Sequence, residues 1–451
     1  MRFSGFFLTL ALSASAFVSQ AAPWVDTDDR YLRSSIKILA DGGYLRAPVT
    51  TYPLMWQPLL TDLANINTAS MNNSQLFAYL RVISAADFAK QPVIKSFSLA
   101  ASSDPVASNG FGKAYQHQAE VNIATDFIGE NWALGISKTF ADSNHFANGF
   151  AADNNWDGSY AAYTVGNWVL SAAQQQLWWG PGYDSSANFS NTGRPLKSLQ
   201  LSRLNSSEPL LSVLEPLGAV NIQLVLAEQP GSALLRHAKV LAARVNFKPH
   251  TRFEFAISGS QLHRVNSVAP SLVTVAGHLS PSYQFPDSRI NTVSLDGRFT
   301  INSNLSAYSE ISLNNSKYGW LAGAEYLIAN RSVQAMLVAE YKETAEDMQQ
   351  WQSLQHDTPY GQAAKRWLAG VELHYRDGSS FYANLSHASY NENTALVAAI
   401  PVNKRSQLAA GYQLELFNGL LTIDGQLSRD TLRAAEADFS QGIGVRWERR
   451  W

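Results

Sequence analysis

Two periodicities divide the chain. From Asp26 to about Pro92 apolar positions recur at helical spacing, and beyond Pro92 they alternate with polar ones to the C-terminus. In the first stretch, "DTDDRYLRSSIKILADGG" predicts a helix: Asp26 to Asp29 supply cap and first-turn acidity, Leu32, Ile36 and Leu39 share a face, and Gly42-Gly43 stops it. The same acidic cluster resembles the start of a calcium site, but the remaining ligand spacing is missing, so capping is preferred. A second helix, "SQLFAYLRVISAADFA", places Leu76, Leu80, Ile83 and Asp87 on one side, with Asn73 or Ser74 as its cap, and ends before Pro92.

Past Pro92, "KVLAARVNFKPHTRFEFAISG" shows the other pattern. Leu241, Ala243, Val245 and Phe247 alternate with Ala242, Arg244 and Asn246, and after a KPHT turn Phe253, Phe255 and Ile257 alternate with Arg252, Glu254 and Ser258. Such segments recur about 18 times, most of them the ~9–11 residues that cross a bilayer as tilted strands. The sixth is placed at 207–214, leaving 179–206 as a long loop. Counted back from the last strand, the short connections 417–419, 376–379, 328–330, 302–304, 248–251, 215–218 and 165–167 all fall on one end. The opposite connections, among them 142–157, 261–289 and 343–365, are mostly long. Short turns on one side and long loops on the other mark an outer-membrane barrel, with the short turns periplasmic. The chain ends in "GIGVRWERRW", with Ile443, Val445, Trp447 and Trp451 on one face. The expected fold is therefore an all-β transmembrane barrel of about 18 antiparallel strands over 93–451, preceded by a small periplasmic α-helical bundle at 22–92.

The N-terminus sharpens the compartment. "MRFSGFFLTLALSASAFVSQAA" combines Arg2, an apolar run from Phe6 to Leu12 and a small-x-small ending at Ser19-Gln20-Ala21, which predicts a signal peptide over 1–21 and a place in the cell outer membrane. The apolar run falls well short of the ~20 residues of a spanning helix. With 34 basic against 36 acidic residues the chain offers no electrostatic footprint for nucleic acid. Zero cysteines remove disulfides, thiolate metal sites and cysteine nucleophiles.

Candidate chemistry sits in the lumen and in the loops. The lumen face collects Arg244, Arg252, Glu254, Asp296, Arg298, Glu310, Glu325, Glu340, Glu372, His374, Glu415, Asp424, Arg446 and Glu448, both signs mixed, which favours ion pairs bracing a filled lumen over a permeation path. His374 reads as an ion-pair partner. No HExxH, GxSxG or GxxxxGK[ST] spacing occurs, so no catalytic residues, metal ligands or cofactors are expected. In the loops, Trp178, Trp179 and Tyr183 of "QLWWGPGY", together with Trp351 and Tyr360, stand among Ser, Asn and Gln. Ring faces beside amides and hydroxyls suit sugars. The same rings would serve as an interfacial girdle, or would wedge a loop into the barrel mouth.

These residues carry a family resemblance. "LRSSIKILADGGYLRAPVTTYPLMW", "GNWVLSAAQQQLWWGPGY", "RHAKVLAARVNFKPHTRFEFAIS" and "DTPYGQAAKRWLAGVELHY" together resemble the Wzi family of outer-membrane capsule-assembly lectins, most specifically at WWGPGY. The resemblance implies an 18-stranded barrel above a periplasmic helical bundle, a lumen closed to free diffusion, and a non-enzymatic monomer whose outer loops associate with capsular or extracellular polysaccharide. Outer-membrane lipid and the polysaccharide-export machinery are the other expected partners. The competing expectation is a porin-like channel for small solutes or oligosaccharides.

Overall fold

The computed structural model describes residues 23–451 other than 65, 104–109, 114, 116, 142–153, 192–194, 208, 229–238, 264–288, 315–316, 331, 345–364, 391–401 and 433–437. Its dominant feature is one closed antiparallel barrel. In chain order the strands are β1 Val93–Ser102, β2 Ala119–Ile128, β3 Trp132–Ala141, β4 Tyr160–Val165, β5 Trp168–Gln175, β6 Leu196–Arg203, β7 Ala219–Glu228, β8 Lys239–His250 and β9 Phe253–His263. They continue as β10 Arg289–Asn302, β11 Leu305–Asn314, β12 Lys317–Ala329, β13 Val333–Glu343, β14 Lys365–Tyr375, β15 Ser380–Ser389, β16 Val402–Leu416, β17 Gly419–Leu432 and β18 Asp438–Arg450. A two-residue piece at Asn154–Asn155 extends the β4 pairing on β3. Each strand pairs with the next, and β18 closes on β1 through Gly444↔Ser102 to Arg450↔Ser96, so no edge is left for aggregation.

Burial runs inside out along the strands. Leu241, Ile257 and Leu295 are exposed on the outer wall while Arg244, Ser258 and Asp296 are buried within, as expected where lipid meets one face and a packed lumen the other. No described helix is long and apolar enough to cross a membrane. The short turns 166–167, 251–252, 303–304, 376–379 and 417–418 gather at one end. At the tightest, Phe417 and Asn418 both take positive φ, 54° and 56°, the conformation a two-residue hairpin turn needs.

One strand lies elsewhere than expected. The sixth is Leu196–Arg203, with Ser198, Gln200 and Ser202 inward and Lys197 and Leu199 outward, and the described residues of 207–214 are not strand. Within 207–214, Pro209 lacks a ladder donor, and a 3-10 turn follows at Ser212–Leu217. The outer connection between β5 and β6 therefore shortens to 176–195, and the connection at the short-turn end lengthens to 204–218.

The segment before the barrel holds α1 Arg30–Asp41, α2 Trp56–Leu63 and α3 Asn73–Ala89. Asp29 caps α1, accepting from the amides of Tyr31 and Leu32 at 2.9 Å each, and Gly43 at φ 79° ends it. The cap of α3 is Asn72, in a capping box with Gln75, one residue ahead of the expected Asn73 or Ser74. Its packed face is Ala78, Val82 and Ala86, whereas Leu76 and Leu80 stay exposed, because small side chains let α3 lie close on α1.

The helices pack on one another, Leu32, Ile36, Leu59, Leu63, Ala78 and Val82 sharing one core, and the bundle reaches up into the barrel. Every residue of α1 from Tyr31 to Ala40 is buried, Arg33 and Lys37 included, because the helix stands inside the lumen. α2 and α3 stay toward the short turns. Pro58 carbonyl accepts from Ser207 Oγ at 3.2 Å, and the Arg81 guanidinium lies 5.5 Å from the Tyr31 ring.

Candidate functional site

A helix buried on all sides with two basic residues needs acids around it, and the wall supplies them. Lys37 Nζ is paired with Glu325, which also accepts from Arg298 at 3.0 Å. Arg298 in turn grips both oxygens of Asp41 at the end of α1. Burial pulls the Lys37 ammonium down to about 8, with Arg33 adding to the effect and Glu325 opposing it. Following α1, the extended segment 44–56 is held the same way. Glu254 accepts from the Val49 amide at 3.0 Å, while Arg244, bridged to Asp296 at 2.6 Å, donates to Thr51 Oγ1 at 2.8 Å and Thr50 Oγ1 at 3.2 Å.

The outer loop 176–195 folds inward onto this plug. Trp178 and Trp179 pair antiparallel with Tyr52 and Thr51 in a two-residue ladder, and the Gly180 amide donates to Thr50 carbonyl at 3.0 Å. Both indoles are fully buried. Trp178 packs edge-on to Phe111 at 5.2 Å, Tyr52 meets Phe111 at 4.7 Å, and the Arg33 guanidinium lies 4.1 Å from the Phe111 ring centre and 4.8 Å from that of Trp178. A guanidinium among three ring faces is a desolvated cation–π cluster. Trp179 packs on Phe189 at 4.7 Å and donates its Nε1–H to Gln223 at 2.6 Å.

Further along, the carboxylate of Glu340 accepts from the amides of Tyr183 and Asp184 at 2.6 and 3.2 Å and from the Tyr308 hydroxyl at 2.8 Å. Arg33 donates to Gly182 carbonyl at 2.8 Å. The loop can turn this tightly because a Cβ on Gly182 would stand 2.1 Å from Ser185 carbonyl, and one on Gly110 would stand 2.1 Å from Tyr183 carbonyl.

Three of the five rings, Trp178, Trp179 and Tyr183, are buried and wedge the loop into the barrel, one of the placements the sequence left open. Trp351 and Tyr360 lie outside the described residues. The expected ion pairs bracing the lumen include Arg244–Asp296 and Arg298–Glu325, while Glu325 also holds Lys37, and Glu254, Glu310 and Glu340 accept backbone amides of the plug and loop. Among the described residues His374 has no ion-pair partner. Its ring packs edge-on to Tyr31 at 5.0 Å, with Nδ1 3.5 Å from Ser380 Oγ. The residues missed from sequence are the receiving ones, Thr50, Thr51, Tyr52 and Phe111, which lie in stretches without periodicity. The readable signal was Arg33 and Lys37, four apart on a helix whose inward-facing barrel neighbours are glutamates.

Near the short-turn end, Asp26 sits beside Asp28 and Lys113. Burial, reinforced by the Asp28 charge, pushes the Asp26 carboxyl up to about 6. Lys113 bridges Asp28 at 3.1 Å and Glu448 at 3.2 Å, tying the plug to the last strand.

A closed barrel with a lipid-facing apolar wall, a polar interior and a lumen occupied by its own N-terminal segment defines the class as a plugged outer-membrane β-barrel. Residues 90–263 match the family model for capsule assembly protein Wzi, the family that the WWGPGY resemblance pointed to. A Klebsiella pneumoniae relative described as an uncharacterized 55.8 kDa protein in the cps region is 24% identical over 254 residues, covering 56% of this chain and 49% of that one. The matched part thus spans about half of that relative. Among solved structures, the chain is similar to Wzi of Escherichia coli, an outer-membrane protein involved in group 1 capsule assembly and described as a carbohydrate-binding β-barrel. The TM-score is 0.77 at 19% identity, covering 94% of this chain and 98% of that one.

Proposed function

We propose that this protein is an outer-membrane surface lectin that binds capsular or extracellular polysaccharide and helps retain or assemble it at the cell surface. In this reading it acts as a monomer, without catalysis. The observation that carries the reading is the cross-linked lumen: α1, the segment 44–56 and the loop 176–195 are bound to the wall by buried charges, so the work is placed on the outer surface rather than in passage through the barrel. The Wzi-family match and the carbohydrate-binding E. coli barrel support the choice of polysaccharide. Contact with the export machinery would fall to the α2 and α3 region at the short-turn end.

Two measurements test this. Cells lacking the protein should shed surface polysaccharide that wild-type cells hold, and equal retention would remove the lectin reading. In planar bilayers the intact protein should give no steady conductance. Large ohmic steps would favour the porin-like channel instead.

A further inference from the structure

The plug does not fill the lumen evenly. Along β1 to β5 a cavity of about 710 Å³ separates it from the wall, inside the ~300–1,000 Å³ range of small-molecule sites. It runs from Ile94 and Phe88 near the short turns to Asn155, Gln176 and Pro195 at the other end, and shares Lys113, Arg446 and Glu448 with a second cavity of about 630 Å³ under β15 to β18.

The lining has a consistent chemistry. Hydroxyls and amides predominate on the wall, where Asn122 Nδ2 donates to Ser137 Oγ at 2.9 Å and to Thr139 Oγ1 at 3.0 Å. Four rings join them, Trp24, Trp56, Phe88 and Tyr160, the centres of Trp24 and Tyr160 4.9 Å apart. On the loop side, Asn191 is 6% exposed and spends its amide N–H on Thr27 carbonyl at 3.0 Å, while its Oδ1 accepts nothing from the described residues. Gln175 Oε1, also on the lining, is in the same position. A wall of hydroxyls and amides set beside ring surfaces matches a ligand rich in hydroxyls. Carboxylates outnumber basic groups on the lining, and Lys113 and Arg450 are already committed to Asp28 and Glu448, so the cleft disfavours polyanions.

We propose that this cleft is a saccharide site inside the barrel, taking a neutral oligosaccharide of a few sugar units between the β1–β5 wall and the plug. The proposal rests on the reading of the protein as a polysaccharide binder, and it adds a second place of contact, away from the outer loops.

The absence of native cysteine makes the test direct. Ser98→Cys and Ser137→Cys each place one near-isosteric thiol on the cleft wall of the full-length protein in detergent micelles. A small hydrophilic methanethiosulfonate should label both. Maltotetraose at ten times the dissociation constant found by calorimetry should slow labelling about tenfold, while a galacturonate tetramer should not. Ser137→Trp, checked for folding by heat-modifiable migration, should abolish calorimetric binding of maltotetraose. Thiols that stay unlabelled, labelling indifferent to maltotetraose, or equal protection by the acidic tetramer each overturn the proposal. Retained surface polysaccharide, compared in parallel on cells with and without the protein, separates the two readings. Retention without protection overturns the cleft alone, and equal retention overturns the reading beneath it.

Discussion

Two halves of the same lumen behave differently. Between β8 and β14 the inward positions are long and charged or aromatic: Arg244, Glu254, Arg298, Tyr308, Glu325 and Glu340 reach the plug and close the space. Between β1 and β5 many inward positions are short, among them Ser98, Asn122 and Ser137, and a space stays open beside Glu120 and Tyr160. Backbone, pairing and alternation are the same in both. Alternation builds the wall, and the length and charge of the inward side chains decide whether that wall grips its plug.

The contrast can be broken most strongly at the charged side. Arg298→Ala strands Asp41 without its cation and leaves Glu325 with Lys37 alone, and removing one partner of a buried pair costs about 3–5 kcal/mol. Denaturant titration in micelles should show that loss, while Ser98→Ala on the open side should stay within about 0.5 kcal/mol. Equal losses at the two positions would mean that the halves are held alike. Trp178→Ala deletes a fully buried indole from the Arg33 cluster, with an expected loss of about 3–5 kcal/mol by the same titration. A near-neutral result would show that the ring is not a structural anchor.

Smaller effects sharpen the picture. Gly182→Ala forces a methyl against Ser185 carbonyl, and displacing the loop should cost about 1–3 kcal/mol, read as a lower midpoint and faster proteolysis between β5 and β6. The smallest effect is at Asp26. Its folded-state pKa lies above the ordinary 3.8, at about 6, so the folded protein holds this proton more tightly than the unfolded chain. The group's contribution to stability is then greatest below pH 4 and falls as pH rises toward 6. Asp26→Asn should flatten the stability profile within that window. A variant whose profile keeps the wild-type slope there would show that another group is responsible.

Much of the barrel was legible beforehand because a wall between lipid and a polar interior forces a period of two on every strand. β8 and β9, with Leu241 and Ile257 outward and Arg244 and Glu254 inward, could be read residue by residue. β6 escaped because "LKSLQLSR" carries few apolar residues, while the greasier "SEPLLSVL" drew the assignment despite Pro209. The site was read less well. Trp178 and Trp179 adjoin a strand end, and nothing local distinguishes a loop that reaches outward to solvent from one that turns back into the barrel.

What the sequence determined by itself is the set of strands, which face of each meets lipid, the cap of α1 at Asp29, and the supply of inward charge. All of these follow from periodicity and short-range chemistry. What only the tertiary structure decided is where α1 stands, which glutamate answers Lys37, and why one side of the lumen is packed and the other open. Those outcomes depend on contacts between residues far apart in the chain, 288 positions in the case of Lys37 and Glu325, and on whether a side chain is long enough to span the gap. Closing the barrel sets that gap, and no window along the chain contains it.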